Sequence, residues 1–583
     1  VGASIGVVKH FLPSTHMTAI FGGLSILDLS LFGASAGAQL GLLLPQTSGW
    51  SLPSSRPTAL GLLALLLPVL HVVGLGSVAF VDWEDLGVSV LLSIALLARA
   101  GNAYLFAPTA ALRNRLVLLA LGAALGMRIV AFSRVCREEQ APHCRTTFYA
   151  AGQAGGGATI NSVWTMGGAY LVALTLPSAL GWALKRSKSN AGVAPVFLSW
   201  VLSPTLLLGA GYWLLDWAAT EEWGASTQVF LEWLKLAVAR VDLVAVCVVG
   251  LAFWAFSPLC IELKQETLPA APPQATDAAA TASTAPSAAA QPQTRMIVLG
   301  FANSLGSLYL LLVALLTSLL FLLAQPMGQL VLAAALLVLL ALAELGDSER
   351  DAELLRSRFL EAAQSKKSAA SASSTPQRGA APSPAAGSFA AAAAEAASAP
   401  LGSAGPPPLV APRLIETTTL ALLGCVLFFA TGHQATFPSI QWRVAFVGLR
   451  SVAYPLSPVL VALNSFGPSA LLPAISMPLL ALWNLSPRPR GDPNAAKPTR
   501  MPTISHLLAT ALGLLLYHSV VTLGAAFFAT WFRRHLMLFK LWTPRYMLAA
   551  VELTTLHVGL VMAVVGAGIV ASKVGLTFGS AFE

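Results

Sequence analysis

Charged side chains are scarce in this sequence: Asp, Glu, Lys and Arg make up 10% of 583 residues, where a water-soluble globular chain carries about 25%. Hydrophobic residues make up 56%, and the mean hydropathy is +0.73. That shortage excludes an ordinary soluble domain and makes the bilayer the solvent. The net charge of +9 does not indicate nucleic acid, because Lys and Arg fall in short clusters between apolar stretches rather than along one polar face. The five cysteines are too few for a disulfide scaffold. No Walker loop, HExxH, GxSxG or CxxC occurs, and the GAG at Gly566 lies in an apolar run without the rest of a dinucleotide fingerprint. Val1 is not followed by a charged n-region, a short apolar core and a small-residue cleavage site, so no signal peptide is expected.

Long apolar runs are what the sequence does have. A bilayer core needs about 20 apolar helical residues per crossing, and runs of that kind occur at Leu24–Leu44, Ala59–Phe80, Leu86–Phe106, Arg115–Ser133, Val163–Leu184, Val193–Leu215, Leu236–Ser257, Met296–Ala324, Met327–Leu345, Leu414–Ala430, Ile440–Leu463, Gly467–Trp483, Ile504–Thr530 and Pro544–Ala571. The fold expected is an all-α polytopic membrane protein with about 13 or 14 transmembrane helices. The count turns on Ile440–Trp483, where Pro455, Pro458, Pro468, Pro473 and Pro478 interrupt the pattern. Two spans there give fourteen helices, the reading preferred here, and one broken passage gives thirteen.

Along the chain this predicts N-terminal membrane helices in 1–267, an Ala/Pro/Ser-rich loop in 268–295, a transmembrane hairpin in 296–346, a charged and then low-complexity loop in 347–413, and C-terminal membrane helices in 414–583. Leu268–Gln293 and Ser365–Pro408 contain almost no large apolar residue. Both are expected to be disordered insertions on the cytosolic side. Lys and Arg in short loops mark the cytoplasmic face. Arg113 with Arg115, and Lys185, Arg186 and Lys188, set the orientation. The loops on the other face then hold FVDWED (Phe80–Asp85), CREEQAPHC (Cys136–Cys144), DWAATEEW (Asp216–Trp223) and ATGHQATFPSIQW (Ala430–Trp442). Beyond Trp483 the basic residues of successive loops balance, and charge alone does not fix the side.

Polar loop ends on a membrane bundle are first of all solvated. Four of them on one face, each mixing aromatic rings with carboxylates or His, also suit an amphipathic substrate, since a ring packs on sugar or acyl chain while a carboxylate accepts hydroxyl protons. Arg128, inside the outer end of its span, has two readings: a seat for a lipid phosphate, or a side chain that snorkels to the interface. His433 is a general base, a metal ligand or a capping His, with no second His or Cys at ligand spacing. His71, His518 and His557 are expected to be paired core residues. A two-metal phosphotransfer centre needs several Asp and His on a folded scaffold, and the longest outer loop between spans, Arg134–Ser162, has about 29 residues, below the ~40 a domain requires.

SVAFVDWED at Ser77–Asp85, CREEQ at Cys136–Gln140, TGHQATFPSIQWRVAFVGL at Thr431–Leu449 and RRHLMLFKLWTPRY at Arg533–Tyr546 give the chain a resemblance to the membrane portion of the glycosylphosphatidylinositol (GPI) ethanolamine phosphate transferases. It is most like the third-mannose type and shares its last two segments with the second-mannose type. The resemblance implies a multi-pass endoplasmic reticulum enzyme that moves phosphoethanolamine from phosphatidylethanolamine to a mannose of the GPI precursor glycolipid. It also implies two zinc ions and a Thr nucleophile in a lumenal domain, which this chain is expected to lack, and a small hydrophobic stabilising subunit as partner. No catalytic or metal-binding residue and no cofactor are therefore expected in this chain. The substrate-positioning candidates are Trp83, Glu84, Asp85, Arg128, Arg137, Glu138, Glu139, His433 and Gln434. Cys136 and Cys144 share an outer, oxidising loop and are expected to form a disulfide; closing about nine residues contributes roughly 2.6 kcal/mol in the chain-entropy description. A lipid transporter or scramblase, with proline-broken spans near the midplane, and a non-enzymatic membrane scaffold are the rival readings.

Overall fold

A computed structural model describes residues 58–136, 140, 160–220, 223–257, 260–267, 294–372, 413–436, 439–485 and 504–582. The expected span Leu24–Leu44, the low-complexity stretch Leu268–Gln293 and most of Ser365–Pro408 lie outside these residues. The helices are α1 (Ala59–Leu75), the short α2 (Val78–Asp82), α3 (Glu84–Phe106), α4 (Ala110–Val130) and α5 (Ile160–Arg186). They are followed by α6 (Ala194–Ala218), α7 (Ala225–Phe256), α8 (Ser304–Leu323), α9 (Pro326–Ala372), α10 (Leu414–Ala430), α11 (Leu456–Leu482), α12 (Ile504–Trp531) and α13 (Trp542–Phe582). Ten of them are long and apolar enough to cross a membrane, and α1 and α10 are shorter apolar helices.

The polar segment after α7 does not continue into the next crossing. Glu262–Thr267 (β1) and Thr294–Leu299 (β2) pair antiparallel, with Glu262 opposite Leu299, so the crossing expected from Met296 begins instead at Ser304. ELKQET cannot enter hydrocarbon, and pairing with its neighbour satisfies its backbone outside it. Gly300 closes this exit at φ +82°, where a Cβ would overlap the Cys260 carbonyl oxygen; only glycine fits there. Helix α9 also runs further than expected, through Ser365 to Ala372, because its Ala-rich end has high helix propensity.

Association of helices in lipid relies on close approach and polar contacts, since lipid tails are as apolar as the helices. Both are present. A Cβ on Gly424 of α10 would lie 2.2 Å from the Ser469 carbonyl oxygen of α11, so only glycine permits this crossing. Tyr309 of the almost wholly buried α8 donates to the Ile475 carbonyl at 2.8 Å, and Trp254 donates to that of Leu308 at 2.8 Å. At the inner end, Arg99, 1% exposed, donates Nε and Nη2 to the two oxygens of Glu349, both at 3.0 Å. Arg413 meets Glu353 at 2.7 Å, and Arg350 faces Glu416 at 3.7 Å. These pairs tie α3, α9 and α10 together on the face marked by Arg113 and Arg115.

The Ile440–Trp483 region makes one crossing, not two. Trp442–Phe446 is a short 3-10 turn, and Val444 and Val447 pack beside Tyr212, Trp213 and Leu322, at the outer ends of α6 and α8. The crossing starts at Leu456; Pro458 lies in its first turn, Pro468 in a π-turn over Gly467–Leu471, and Pro473 and Pro478 in the α-helical stretch that follows. Asn484, just past its end, receives its position from the inner face: its N–H donates to Asn303 Oδ1 at 2.8 Å and its Nδ2 to Asp347 at 2.8 Å. The preference for fourteen spans is thereby corrected, and α12 must start on the inner side. A cysteine introduced at position 494 is expected to react with an impermeant maleimide in sealed microsomes, and one replacing Leu536, 98% exposed, only after permeabilisation. The reverse pattern would refute the single crossing.

Candidate functional site

The outer end of the bundle is organised by the start of α3. Acidic residues are favoured in the first turn of a helix, where unpaired N–H groups carry partial positive charge, and Glu84 and Asp85 occupy it. Successive residues on a helix point about 100° apart, so the two carboxylates part company.

Glu84 turns into the bundle and is 2% exposed. Arg545, at the start of α13, donates Nε at 2.8 and 2.9 Å and approaches with Nη2 at 2.8 Å. His71 of α1, fully buried, lies with Nε2 3.0 Å from the same carboxylate and Nδ1 2.8 Å from the Tyr517 hydroxyl of α12. A carboxylate only accepts, so Nε2 carries the proton and Nδ1 accepts from Tyr517. His518 stands 3.9 Å from Glu552 beside this knot, and Trp542 donates to the Leu75 carbonyl at 2.9 Å. Four helices remote in sequence meet at one carboxylate. Glu84 is therefore a buried bundle residue and not an outer-surface positioning group.

Asp85 turns toward α4 and α10. It accepts from Arg134 and from Gln140 at 3.4 Å, and Gln140 also donates to the Asp82 carbonyl at 2.7 Å. The Arg134 guanidinium lies 5.7 Å from the ring centroid of half-buried Trp83. Arg128, exposed, lies 5.7 Å from that of Phe132. Asp85, Arg128, Arg134, Phe132 and Phe429 line one shallow cleft at the surface. The structure thus brings Trp83, Asp85 and Arg128 to one place. Arg137, Glu138, Glu139 and Cys144 lie outside the described residues. Cys136 is disulfide-bonded, while Cys247, Cys260 and Cys425 are free.

The 431–441 loop is anchored rather than open. Gln434, half-buried, donates to the Val135 carbonyl at 3.1 Å, and Ser133 donates to that of Ala430 at 2.8 Å. His433 is 3% exposed and stacks on Phe428 at 5.5 Å. Asn464 Nδ2 lies 3.3 Å from its Nε2, and Asn464 also donates to Gln441 at 3.2 Å. An amide NH2 only donates, so Nε2 accepts and Nδ1 gives its proton to Thr431 Oγ1, 3.1 Å away. Burial pulls the His433 pKa down to about 4, against the opposing pull of the Phe428 carbonyl. With both nitrogens engaged and the ring 3% exposed, His433 holds the loop.

Zinc, implied by the family resemblance, finds no fit: among the described residues no group of three or more His, Cys, Asp or Glu is placed to hold a metal ion. Arg545, Tyr517, Asn464 and Arg134 were not singled out from sequence. Arg545 and Arg134 sit among other basic residues of polar loops in the sequence, and nothing local marks Tyr517 or Asn464.

Comparison with known proteins gives one consistent relationship. The chain is 25% identical over 428 residues to GPI ethanolamine phosphate transferase 3 of Eremothecium gossypii, covering 73% of this chain and 32% of that protein. It is 24% identical over 531 residues to the Saccharomyces cerevisiae protein of the same name, covering 84% and 42%. This chain is a relative of GPI ethanolamine phosphate transferase 3. The human catalytic subunit of that name is 31% identical over 172 residues, 25% of this chain and 16% of the human one. The matched region is thus well under half of each relative's length. No family profile and no solved structure matches.

Two measurements test the site. Glu84→Ala leaves Arg545 buried without its partner, and breaking such a pair costs about 3–5 kcal/mol. The variant is expected to lose abundance and thermal stability, with much of the loss recovered in Glu84→Leu/Arg545→Met; an equally abundant and heat-stable Glu84→Ala would refute the knot. For His433 the folded-state pKa, about 4, lies below the ordinary 6.5, so the unfolded loop binds the proton first. Stability contributed at pH above 6.5 is lost progressively down to about pH 4. Amide exchange in Phe428–Gln441 should accelerate across that window in the parent and not in His433→Gln; equal pH profiles would exclude the assignment.

Proposed function

We propose that this chain is the membrane portion of an endoplasmic reticulum enzyme that transfers phosphoethanolamine from phosphatidylethanolamine to a mannose hydroxyl, the third, of the GPI precursor glycolipid. The observation that carries the reading is the similarity, over 73% and 84% of this chain, to two proteins named GPI ethanolamine phosphate transferase 3. Charge counting and helix parity add support, because Trp83, Asp85, Arg134 and Gln434 gather at the end of the bundle opposite Arg113 and Lys185. That end is where a glycolipid would meet a lumenal domain.

The chemistry would come from a zinc-dependent lumenal domain that works with this bundle. The described residues offer no acid-base and metal constellation for it. What they offer is placement: a rigid, ion-paired end to the membrane helices that holds a lipid-anchored acceptor near a catalytic centre, the kind of orientation that lowers the entropy of reaching the transition state. A small hydrophobic stabilising subunit would cover part of the apolar helix surface.

The test is complementation. In cells lacking the third-mannose enzyme, this chain alone is expected to leave the unmodified GPI intermediate accumulating, and this chain joined to a lumenal phosphotransferase domain is expected to clear it, both read by mass spectrometry of the glycolipids. Rescue by the described bundle alone would overturn the division of labour. Rescue only of cells lacking the second-mannose enzyme would reassign the acceptor, and no rescue of either would favour a lipid transporter or scaffold.

A further inference from the structure

Glu84 does not account for all the charge around Arg545. Two turns further along the same face of α13 stands a second carboxylate, Glu552, whose side chain is 13% exposed. Arg545 is committed to Glu84, with N···O distances of 2.8 and 2.9 Å. Among the described residues only His518 comes within ion-pair range of Glu552, its Nδ1 at 3.9 Å, which is beyond hydrogen-bond length. His518 does not answer Glu552 as a cation: an imidazolium donates from both nitrogens, and its buried Nε2 has no partner among the described residues. With Glu552 ionised, two carboxylates face one guanidinium, and one negative charge is left to be met from outside the chain.

That carboxylate lines a cavity. Glu84, Arg545 and Glu552 form its polar wall, and Phe428, Phe429 and Phe466 form an apolar one. Its free space, about 20 Å³, admits one water-sized group, and aromatic faces attract cations. The cavity sits where α11 leaves α13. Leu472–Leu482 packs along α13, whereas Leu456–Phe466, before the π-turn, packs on the Trp442–Phe446 turn and on α8. The two helices therefore diverge toward the outer face, and half-buried Leu548 and Glu552 stand at the opening. Depth follows from α8, whose 20 residues span about 30 Å, the thickness of the hydrocarbon. A Cβ on Gly467 would press on Leu320, one turn from the outer end of α8, so Phe466 and the cavity lie at the outer hydrocarbon boundary, within reach of a lipid headgroup. A primary ammonium is the size of a water, donates three hydrogen bonds and carries the missing charge. A trimethylammonium is larger and donates none.

We propose that this cavity receives the primary ammonium of one outer-leaflet aminophospholipid, with Glu552 as its counterion. The site follows from charge and space, does not depend on the transferase reading, and is tested without activity. The full chain, purified into nanodiscs, is exposed in turn to phosphatidylethanolamine and phosphatidylcholine carrying the same photoreactive acyl chain, and the adducts are mapped by mass spectrometry. Peptides of Leu456–Phe466 and of Val551–Val558 are expected to be labelled about tenfold more by phosphatidylethanolamine, as the loss of a charge-assisted hydrogen bond predicts. On α7, whose exposed face meets bulk lipid, the two should label alike. Glu552→Gln, nearly the same in shape, should abolish the preference at α11 and α13. Leu548→Trp, which narrows the opening and leaves the charge, should abolish it too, so the proposal stays testable if Glu552→Gln cannot be purified. Equal labelling of the parent by both lipids would mean that a proton answers Glu552, and a preference that survives Glu552→Gln would remove the carboxylate from the site; either overturns the proposal. Loss of the preference on adding millimolar free ethanolamine would assign the cavity to a soluble amine and overturn the lipid.

Discussion

The buried carboxylate of Glu84 is the constraint on which the outer half of this bundle depends. Around it α1, α3, α12 and α13 meet, through His71, its own helix, Tyr517 by way of His71, and Arg545. Two charges removed from water gain little net stability over an apolar pair of the same volume, but a partner left alone is heavily penalised. What such a pair supplies is therefore specificity of position: α13 must arrive with Arg545 at this depth and rotation. In lipid, where apolar surface does not discriminate between neighbouring helices, that is a strong reason for a polar knot to be kept. The inner end follows the same logic with Arg99, Glu349, Arg413 and Glu353.

The helix start that buries Glu84 also fixes everything around it. Because Asp85 follows immediately, its direction is set once Glu84 is held, and it presents toward α4 and the Arg134 that follows that helix. Gln140, Trp83 and the Ala430–Gln434 turn then close around the Asp85–Arg134 pair. Arg128 is left over. It lies against Phe132 at the edge of the same cleft.

The membrane class and most of the crossings were legible in the sequence, because hydrocarbon thickness acts on each segment separately. It misjudged what depends on several segments at once. Glu84 and Asp85 in FVDWED looked like one solvated pair, and only the helix phase separates them. His433 in TGHQ looked accessible, yet Phe428 and Asn464, the latter 31 positions away, enclose it. Ile440–Trp483 is long enough for two spans, and its prolines left the count open; in one crossing, Pro458 sits at a first turn, which is compatible with a helix, Pro468 in the π-turn at Gly467, and Pro478 inside the helix that follows. The β1–β2 pair was missed because β1 is polar without an alternating apolar face and the apolar end of β2, Met296–Leu299, reads as the start of the next crossing.

These corrections change where a lipid substrate would be met. Glu84 and His433 are withdrawn into the bundle, Glu84 at 2% and His433 at 3% exposure, and their polar atoms are engaged by neighbouring helices and loops. Polar groups are left at the edge on the α3–α4 face, where Asp85, Arg128, Arg134 and Phe132 lie. A lateral site demands little of the bundle's interior and much of the rigidity of its rim, since a headgroup can be presented to a neighbouring catalytic domain only as steadily as the helix ends that hold it. The ion-paired start of α3 supplies that rigidity one residue away from the cleft. The polar core of this membrane bundle is thus best understood as a support for its edge.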